Sequence, residues 1–487
     1  MPDKSKAEDM TLNEYGPKLD RIDSSSGRFR EVSPKEAWVP GLIEVVFQDP
    51  AQSGVKNWHF PDEKERKEFS KAWPEDLKKV LRANELVSWQ PSFPLRYPWT
   101  NVPEDKEAFE DYQKSGRDKF VTFRFQRNAN TRRIADQLRK LHELEQAVAV
   151  PRVGPPSAPH EEPFMGRDDQ PMAMFCDDNG CLESQWYMFR CNVNKAWQKT
   201  NASGEGLSGK GIIIADIDWG FNTYHDDLRN RIKETQNIFL NPADPTNVSN
   251  GDRLYHGTAA LGIAGGEVNS QGVAGVAFGA DLWAIQAGLD DIEHCRWVAG
   301  INFVRSRAAK ERKVIILEVE TIIGGNIEML PTIAQEIRLA IADKIVVCVP
   351  AGNGLRDAGI GDDNRPIPST GSILVGATNF GALENIRGIS NSGCRVVVYA
   401  PGDPQIDVAC GASYNSYLPG FGGTSSAVAK VAGVVALMLE ENPALTHAQV
   451  RDILGQSQIP VFELPSNPIG VLVDAEQAVY AASQLAC

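Results

Sequence analysis

The 487-residue sequence has few cysteines, no excess of basic side chains and no long uncharged apolar run. Its eight cysteines, with no apolar segment near Met1 of the kind that forms a secretory signal, predict reduced thiols and a cytoplasmic location. Its 50 Lys and Arg against 64 Asp and Glu give a net charge of −14, so we expect neither a nucleic-acid nor a membrane partner. No run of about 18 uncharged apolar residues predicts a membrane-spanning helix.

Two of the cysteines, Cys176 and Cys181, are close enough in sequence for a hairpin thiol pair or half of a zinc site. No second Cys-x-x-Cys and no His pair lies nearby in the sequence. We therefore predict no metal site and no cofactor.

Proline divides the chain. Six prolines fall within about twenty residues, at 151, 155, 156, 159, 163 and 171, and such a stretch excludes a helix or a central strand. We predict a linker over residues 151–182. It separates a polar tail (1–40) and a smaller domain (41–150) from a large domain (183–487).

The smaller domain combines strand-like and helix-like segments. Apolar or alternating runs predict strands, and charged stretches with helical spacing of Leu and Ile predict helices. The strands are expected at 42–48, 86–89, 120–126 and 147–150, and the helices at 61–82 and 131–146. This order predicts an α+β domain of βαββαβ type.

The large domain has a different pattern. Continuous Val and Ile runs, rather than alternating ones, indicate strands buried on both faces, as in a parallel sheet covered by helices. These runs lie at 211–217, 282–287, 314–319, 345–350, 373–377 and 396–400. We predict an α/β domain with a doubly wound, mainly parallel sheet.

Four polar residues of the large domain form a pattern typical of acyl transfer. Asp218 ends a buried strand, His256 begins a helix of small residues, Asn353 lies in a Gly-Asn-Gly turn after a strand, and Ser425 begins a second small-residue helix. A nucleophilic Ser needs an imidazole base, and that imidazole needs a carboxylate. The tetrahedral intermediate also needs hydrogen-bond donors for its oxyanion.

The segments around these residues resemble the motifs of the subtilisin-like serine peptidases, the subtilases, in the family's chain order. The matching segments are Asp218-Trp-Gly220 with His225-Asp-Asp227-Leu228 downstream, His256-Gly-Thr258 with Gly262, Ala351-Gly-Asn353, and Gly423-Thr-Ser425-Ser-Ala427. The resemblance extends from about Gln185 to the end of the chain. It implies a subtilisin-like fold for this region.

The resemblance also implies roles for the four residues. Ser425 is the expected nucleophile, His256 the general base and Asp218 the acid that orients it, while Asn353 is expected in the oxyanion hole. Asp216 is the alternative acid on the same strand face, but Asp218 has the family's Asp-x-Gly spacing. No metal is expected in the mechanism.

The strand that lines the substrate pocket in this family departs from the usual Ser-Leu/Trp-Gly-Gly, since this chain has Leu317-Glu-Val-Glu-Thr321. The candidate pocket residues are Glu318, Val319, Glu320 and Gly352. Because Glu318 and Glu320 share one strand face, we expect a preference for Lys or Arg before the scissile bond. Alternatively, Glu318 pairs with a local cation, or the register shifts to Ile323-Gly-Gly325.

The resemblance predicts a serine endopeptidase acting on proteins or peptides. Many subtilases carry a βαββαβ pro-domain, so we expect residues 41–150 to act as an inhibitor that is cut off between about 151 and 183. A permanently attached accessory domain is the alternative.

Two other functions remain open. Because the pocket strand and the His helix, with Ala259, diverge from the family, the chain is alternatively a binding protein with an impaired site. Asp216-Ile-Asp218 also resembles the DxD motif of haloacid-dehalogenase-type phosphatases, but its usual continuation is missing and Ser425 would have no role. Nucleotide binding is disfavoured because no P-loop or Gly-x-Gly-x-x-Gly is present.

Overall fold

The structure is a computed structural model that describes most of the large domain and about half of the preceding chain. The described residues are 19–23, 28–32, 37–53, 73–93, 110, 112–154, 185–201, 204–238, 248, 254–269, 272–288, 294–307, 309–379, 390–402, 408–463 and 467–485. The pair Cys176 and Cys181 and most of the predicted linker lie outside these residues.

The amino-terminal part contains a four-stranded antiparallel sheet in the order β4-β5-β3-β6. Its strands are β3 (Trp38–Phe47), β4 (Ser88–Pro91), β5 (Phe120–Arg124) and β6 (Leu144–Pro151). Its helices are α1 (Pro50–Ser53), α2 (Glu75–Ala83) and α3 (Thr131–Leu138). Apolar side chains of α2 and α3 join the sheet in one hydrophobic core.

Several boundaries in this part differ from those predicted. The segment expected to be a polar tail contains a hairpin, β1 (Leu19–Asp23) with β2 (Arg28–Val32), and β3 begins at Trp38 because Trp38 and Val39 are buried. The helix expected over 131–146 ends at Leu138, and Leu144 already pairs with Phe47 of β3. Pairing with β3 therefore overrides the helical spacing of Leu144.

A nine-stranded sheet forms the centre of the large domain, in the order β18-β19-β15-β14-β13-β11-β8-β10-β9. Its strands are β8 (Ile212–Asp218), β9 (Ile232–Asn237), β10 (Asp281–Gln286), β11 (Arg312–Leu317), β13 (Val346–Pro350), β14 (Ile373–Thr378), β15 (Val398–Pro401), β18 (Ile459–Glu463) and β19 (Asn467–Leu472). Every pair is parallel except β18 with β19, which confirms the predicted mainly parallel sheet. The polar edge strand β9 has no apolar run and was not predicted.

Helices cover both faces of this sheet. On one face lie α6 (Leu254–Gly265) and α9 (Gly423–Glu441), and on the other lie α7 (Cys295–Ser306) and α8 (Pro331–Ala342). The remaining elements are α4 (Tyr187–Arg190), α5 (Val193–Ala196), α10 (His447–Gly455), α11 (Ala475–Gln484) and a hairpin of β16 (Val408–Cys410) with β17 (Tyr417–Pro419). Within the described residues α9 alone is long and apolar enough to cross a membrane, and 94% of that stretch is buried in the core.

The amino-terminal sheet packs against the α7 and α8 face of the large domain, and their apolar side chains form one continuous core. Directly after β6, at residues predicted to be linker, the short strand β7 (Val153–Gly154) pairs antiparallel with β12 (Glu320–Thr321). Side chains also connect the two parts, since Glu44 Oε1 lies 2.6 Å from His294 Nε2. The chain that leaves the small sheet thus runs along the segment expected to line the substrate pocket.

Candidate active site

The acid of the site lies at the carboxyl end of β8. All seven residues of β8 are buried, since the strand lies between β10 and β11. Asp218 has no exposed surface, and the Trp219 backbone N–H donates to its Oδ1. Strand ends in such sheets are where α/β proteins place functional groups.

The imidazole is held against β8 by the residues that follow it in α6. The Gly257 N–H donates to the Gly220 carbonyl oxygen at 3.1 Å. A Cβ on Gly257 would lie 2.4 Å from the Phe221 ring, so only glycine permits this approach. As a result His256 Nδ1 lies 2.8 Å from Asp218 Oδ2 and 2.9 Å from Asp218 Oδ1. A carboxylate only accepts, so Nδ1 carries the proton and Nε2 is the basic nitrogen.

The hydroxyl is presented by the first turn of α9. Gly423 has φ +69° and donates its N–H to the Gly402 carbonyl oxygen at 2.8 Å, which fixes the start of the helix. Ser425 Oγ then lies 3.2 Å from His256 Nε2, in reach for donating its proton. Its backbone N–H belongs to the first turn, where N–H groups have no partner within the helix.

Asn353 faces the same helix start with its amide orientation fixed. The Thr424 N–H and Oγ1 donate to Asn353 Oδ1 at 3.1 and 3.2 Å. Because a backbone N–H can only donate, Oδ1 must be the atom facing it. Asn353 Nδ2 is buried and has no hydrogen-bond partner among the described residues. This arrangement leaves a buried amide donor beside the start of α9, of the kind that stabilises an oxyanion.

Asn391 is a residue of the site that the sequence analysis missed. It is fully buried; its Nδ2 donates to the Ala351 and Gly324 carbonyl oxygens at 2.7 Å, and its Oδ1 accepts from the Gly354 and Arg356 N–H groups at 3.0 Å. It thus holds both sides of the turn that carries Asn353. A lone Asn outside any motif gives no signal in one sequence. Thr424, by contrast, belongs to the quoted Gly-Thr-Ser motif.

The four expected pocket residues have different surroundings. Gly352 has φ +95°, and a Cβ there would lie 2.5 Å from the Gly324 carbonyl oxygen. Glu320 Oε2 accepts the Asn353 N–H at 2.7 Å. Val319 is buried in the core, and Glu318 is fully buried beside β8, with its carbonyl oxygen accepting the Trp219 indole N–H at 3.2 Å. In the register of β11 with β8, Leu317 pairs with Ile217, so Glu318 follows beside Asp218.

One cluster in the described part of the chain has metal-ligating groups close together, namely His225, Asp227 and Cys410, with ligand atoms within 4.8 Å of one another. Most of these groups already have partners. Asp227 Oδ2 accepts the Val273 N–H at 3.0 Å, and the two His225 nitrogens face the Asp227 N–H at 3.2 Å and the Ser416 carbonyl oxygen at 2.9 Å. Burial also raises the pKa of the Asp227 carboxyl.

The large domain is similar to known proteins. Residues 209–461 match the family model described as the subtilase family. Subtilisin E of Bacillus subtilis is 30% identical over 250 residues, which cover 51% of this chain and 61% of that protein. A subtilisin of Bacillus pumilus is also 30% identical over 250 residues, covering 51% of this chain and 84% of that protein. The match therefore spans less than two thirds of the full length of subtilisin E.

Two solved structures share the fold. Fervidolysin from Fervidobacterium pennivorans, described as a keratinolytic enzyme related to subtilisin, superposes with a TM-score of 0.54 at 17% identity, covering 95% of this chain and 65% of that one. A structure of proteases from Pseudoalteromonas arctica PAMC 21717 has a TM-score of 0.50 at 22% identity, covering 61% of this chain and 97% of that one. At these identities the likeness concerns the fold.

Proposed function

The chain belongs to the subtilase family, and from that premise we propose that it is a serine endopeptidase that hydrolyses peptide bonds of proteins or peptides through an acyl-enzyme. The observation that carries the proposal is the position of His256, with Nδ1 2.8 Å from Asp218 Oδ2 and Nε2 3.2 Å from Ser425 Oγ. A base between an acid and a hydroxyl at these distances is the arrangement that activates a serine.

In the proposed mechanism Ser425 Oγ attacks the carbonyl carbon while His256 Nε2 takes its proton. Asp218 stabilises the resulting imidazolium through Nδ1–H. Asn353 Nδ2 and the Ser425 backbone N–H donate to the oxyanion. His256 then protonates the departing amine, and a water molecule, deprotonated by the same imidazole, hydrolyses the acyl-enzyme.

A fluorophosphonate probe tests this proposal directly, because it bonds covalently only to an activated serine. We expect stoichiometric labelling at Ser425, loss of labelling in Ser425→Ala, and unchanged labelling in the control Ser413→Ala, which alters an exposed serine. Folded wild-type protein that is not labelled and cleaves no peptide would instead favour the binding protein without catalysis.

We also propose that residues 41–150 act as an inhibitory pro-domain. Two contacts support this role: β7 pairs with β12 beside the catalytic residues, and Arg139 Nη2 lies 2.6 Å from Asp363 Oδ2 across the boundary. A chain paired with β12 occupies the edge that a substrate strand would use. The small domain and the chain that follows it thus block access to the β12 edge until the connecting chain is cut.

Intact mass and amino-terminal mapping test the pro-domain. Wild-type protein is expected to mature by cleavage between about residues 151 and 183, whereas Ser425→Ala is expected to stay full length. Wild-type protein that hydrolyses peptides while remaining full length would contradict self-processing and favour a permanent accessory domain.

For specificity, we propose a preference for Lys or Arg before the scissile bond that rests on Glu320. Its carboxylate adjoins the turn of Asn353, and an ionised acid there attracts a basic side chain. Glu320→Gln is expected to lower the ratio of kcat/KM for Arg over Leu substrates, a ratio in which a general loss of activity cancels. An aliphatic or aromatic preference in a wild-type peptide-library profile would end this hypothesis.

A further inference from the structure

Three carboxyl groups are packed together at the ends of β8 and β11. In the parallel register Ile316 pairs with Asp216 and Leu317 with Ile217, so Glu318 continues directly beside Asp218. The Glu318 N–H donates to the Ile217 carbonyl oxygen at 3.0 Å. Asp216, Asp218 and Glu318 therefore lie on the same face of the sheet, and none has exposed surface.

The three groups differ in their partners. Asp218 receives the His256 imidazole on both oxygens. The two carboxyl oxygens of Asp216 and the two of Glu318 are buried without a hydrogen-bond partner in the described part of the chain. An ionised carboxylate in such a place is strongly disfavoured, because nothing replaces the water it has lost.

A bound cation does not account for these oxygens. Ligand atoms of one metal lie close together, and among the described residues the cluster that meets this condition is that of His225, Asp227 and Cys410. The carboxyl group of Asp216 also has no hydrogen bond from a described Lys or Arg. Protons are thus the remaining way to neutralise the two groups.

All the influences on the Glu318 carboxyl favour its neutral form, except that of the Ser425 hydroxyl. Burial and then the charge of Asp218 raise the pKa of its carboxyl well above the usual value, and Glu320 acts in the same direction. The Ser425 hydroxyl, in the first turn of α9, acts in the opposite direction and lowers the pKa of this carboxyl. Burial and the charge of Asp218 likewise raise the pKa of Asp216.

We propose that Glu318 is a neutral carboxylic acid in the working peptidase and that its proton positions the Ser425 hydroxyl toward His256. A neutral acid donates to a lone pair of Oγ and leaves the Oγ–H free to point at His256 Nε2. An ionised Glu318 can only accept, so it competes with His256 for that same hydrogen. Glu318 is thus a positioning residue, and its role rests on the proposed peptidase function.

This role predicts a specific pH dependence. The groups that act on the pKa of Glu318 or interact with its charge are Asp216 and Asp218 on β8, Ser425 on α9 and Glu320 on its own segment. As pH rises and Glu318 loses its proton, the rate of Ser425 labelling is expected to fall roughly tenfold per pH unit, as for a single ionisation. Glu318→Gln cannot ionise and keeps a donor, so its alkaline decline is expected to be absent.

Infrared spectroscopy and probe labelling test the proposal together. At pH 7 the wild-type spectrum is expected to contain protonated carboxyl bands, of which Glu318→Gln removes one. The matched control Asp216→Asn is expected to keep the Glu318 band and the wild-type labelling profile. If Glu318→Gln fails to fold, Asp216→Asn still tests whether the remaining protonated carboxyl band belongs to Glu318.

The proposal is overturned if wild-type protein has no protonated carboxyl band at pH 7. It is equally overturned if Glu318→Gln retains every band, or if its labelling declines at alkaline pH as in wild type. If Ser425 is labelled in no variant, the peptidase function fails, while the infrared bands still decide the protonation of Glu318.

Discussion

Replacement of Asn391 tests the turn that carries Asn353, because the Asn391 side chain holds the backbone on both sides of that turn. Asn391→Ala removes four hydrogen bonds, namely two buried ones to the Gly324 and Ala351 carbonyl oxygens and two partly buried ones from the Gly354 and Arg356 N–H groups. The turn they hold carries the donor of the proposed oxyanion hole. We expect both the stability of the protein and its kcat to fall.

The magnitude follows from the number of bonds. An intramolecular hydrogen bond contributes about 0.5–1.5 kcal/mol net, so four of them amount to about 2–6 kcal/mol of unfolding free energy. Native domains are stable by about 5–15 kcal/mol, so this loss is large. The control Asn230→Ala removes one exposed bond to Glu267 and is expected to change stability by less than about 0.5 kcal/mol.

Asn391→Asp is a sharper variant because it keeps the shape. One carboxyl oxygen still accepts the two N–H groups, but the other faces two carbonyl oxygens and can donate only when protonated. Its pKa is therefore higher in the folded than in the unfolded state. Such a group contributes stability at acidic pH that is lost as pH rises through the folded pKa.

Thermal unfolding and steady-state kinetics measure these effects. We expect Asn391→Ala to lower Tm and to lower kcat more than KM changes, and we expect the Tm deficit of Asn391→Asp against wild type to widen from pH 4 to pH 8. Equal Tm and kcat for Asn391→Ala and wild type would refute the assigned hydrogen bonds.

Three further outcomes are expected. Asn353→Leu removes the buried Nδ2 donor and should lower kcat about 10²–10³-fold with little change in KM, the loss known for one such donor in subtilisin; a kcat near wild type would exclude this role. Gly257→Ala places a Cβ 2.4 Å from the Phe221 ring and should cost about 1–3 kcal/mol, visible as a lower Tm. Burial lowers the pKa of His447 to about 4; since the unfolded imidazole protonates near 6.5, wild-type stability should fall as pH drops from about 6.5 to 4. His447→Gln should lose less over that interval, and an equal loss would contradict the buried neutral imidazole.

Some features of this protein followed from local patterns. Continuous Val and Ile runs such as Ile212–Ile217 predicted buried parallel strands, because a strand covered on both faces has no polar side. The spacing of Asp218 from Gly220 and of Ser425 from Gly423 identified the residue types that acyl transfer needs. These patterns can be recognised in a single sequence because each depends only on residues a few positions apart.

Other features remain predictions that no comparison tests. The cytoplasmic location, the absence of nucleic-acid and membrane partners and the cleavage within 151–183 belong to this group. They concern the location, partners and processing of the protein, and the packing of a single chain does not show these.

The sequence by itself determined the parallel sheet and the four residue types of the candidate site, because strand burial and tight glycine turns are local requirements. Only the tertiary structure decided that Leu144 is a strand residue, that Asn391 holds the turn of Asn353, and that Glu318 faces Asp218 rather than solvent. Each of these depends on segments between 38 and about 100 residues apart in the chain meeting across a sheet or a turn, as in the pairing of Leu144 with Phe47. These contacts between distant segments decide whether a side chain has a hydrogen-bond partner, an opposite charge or neither. They therefore also decide its protonation state and its role.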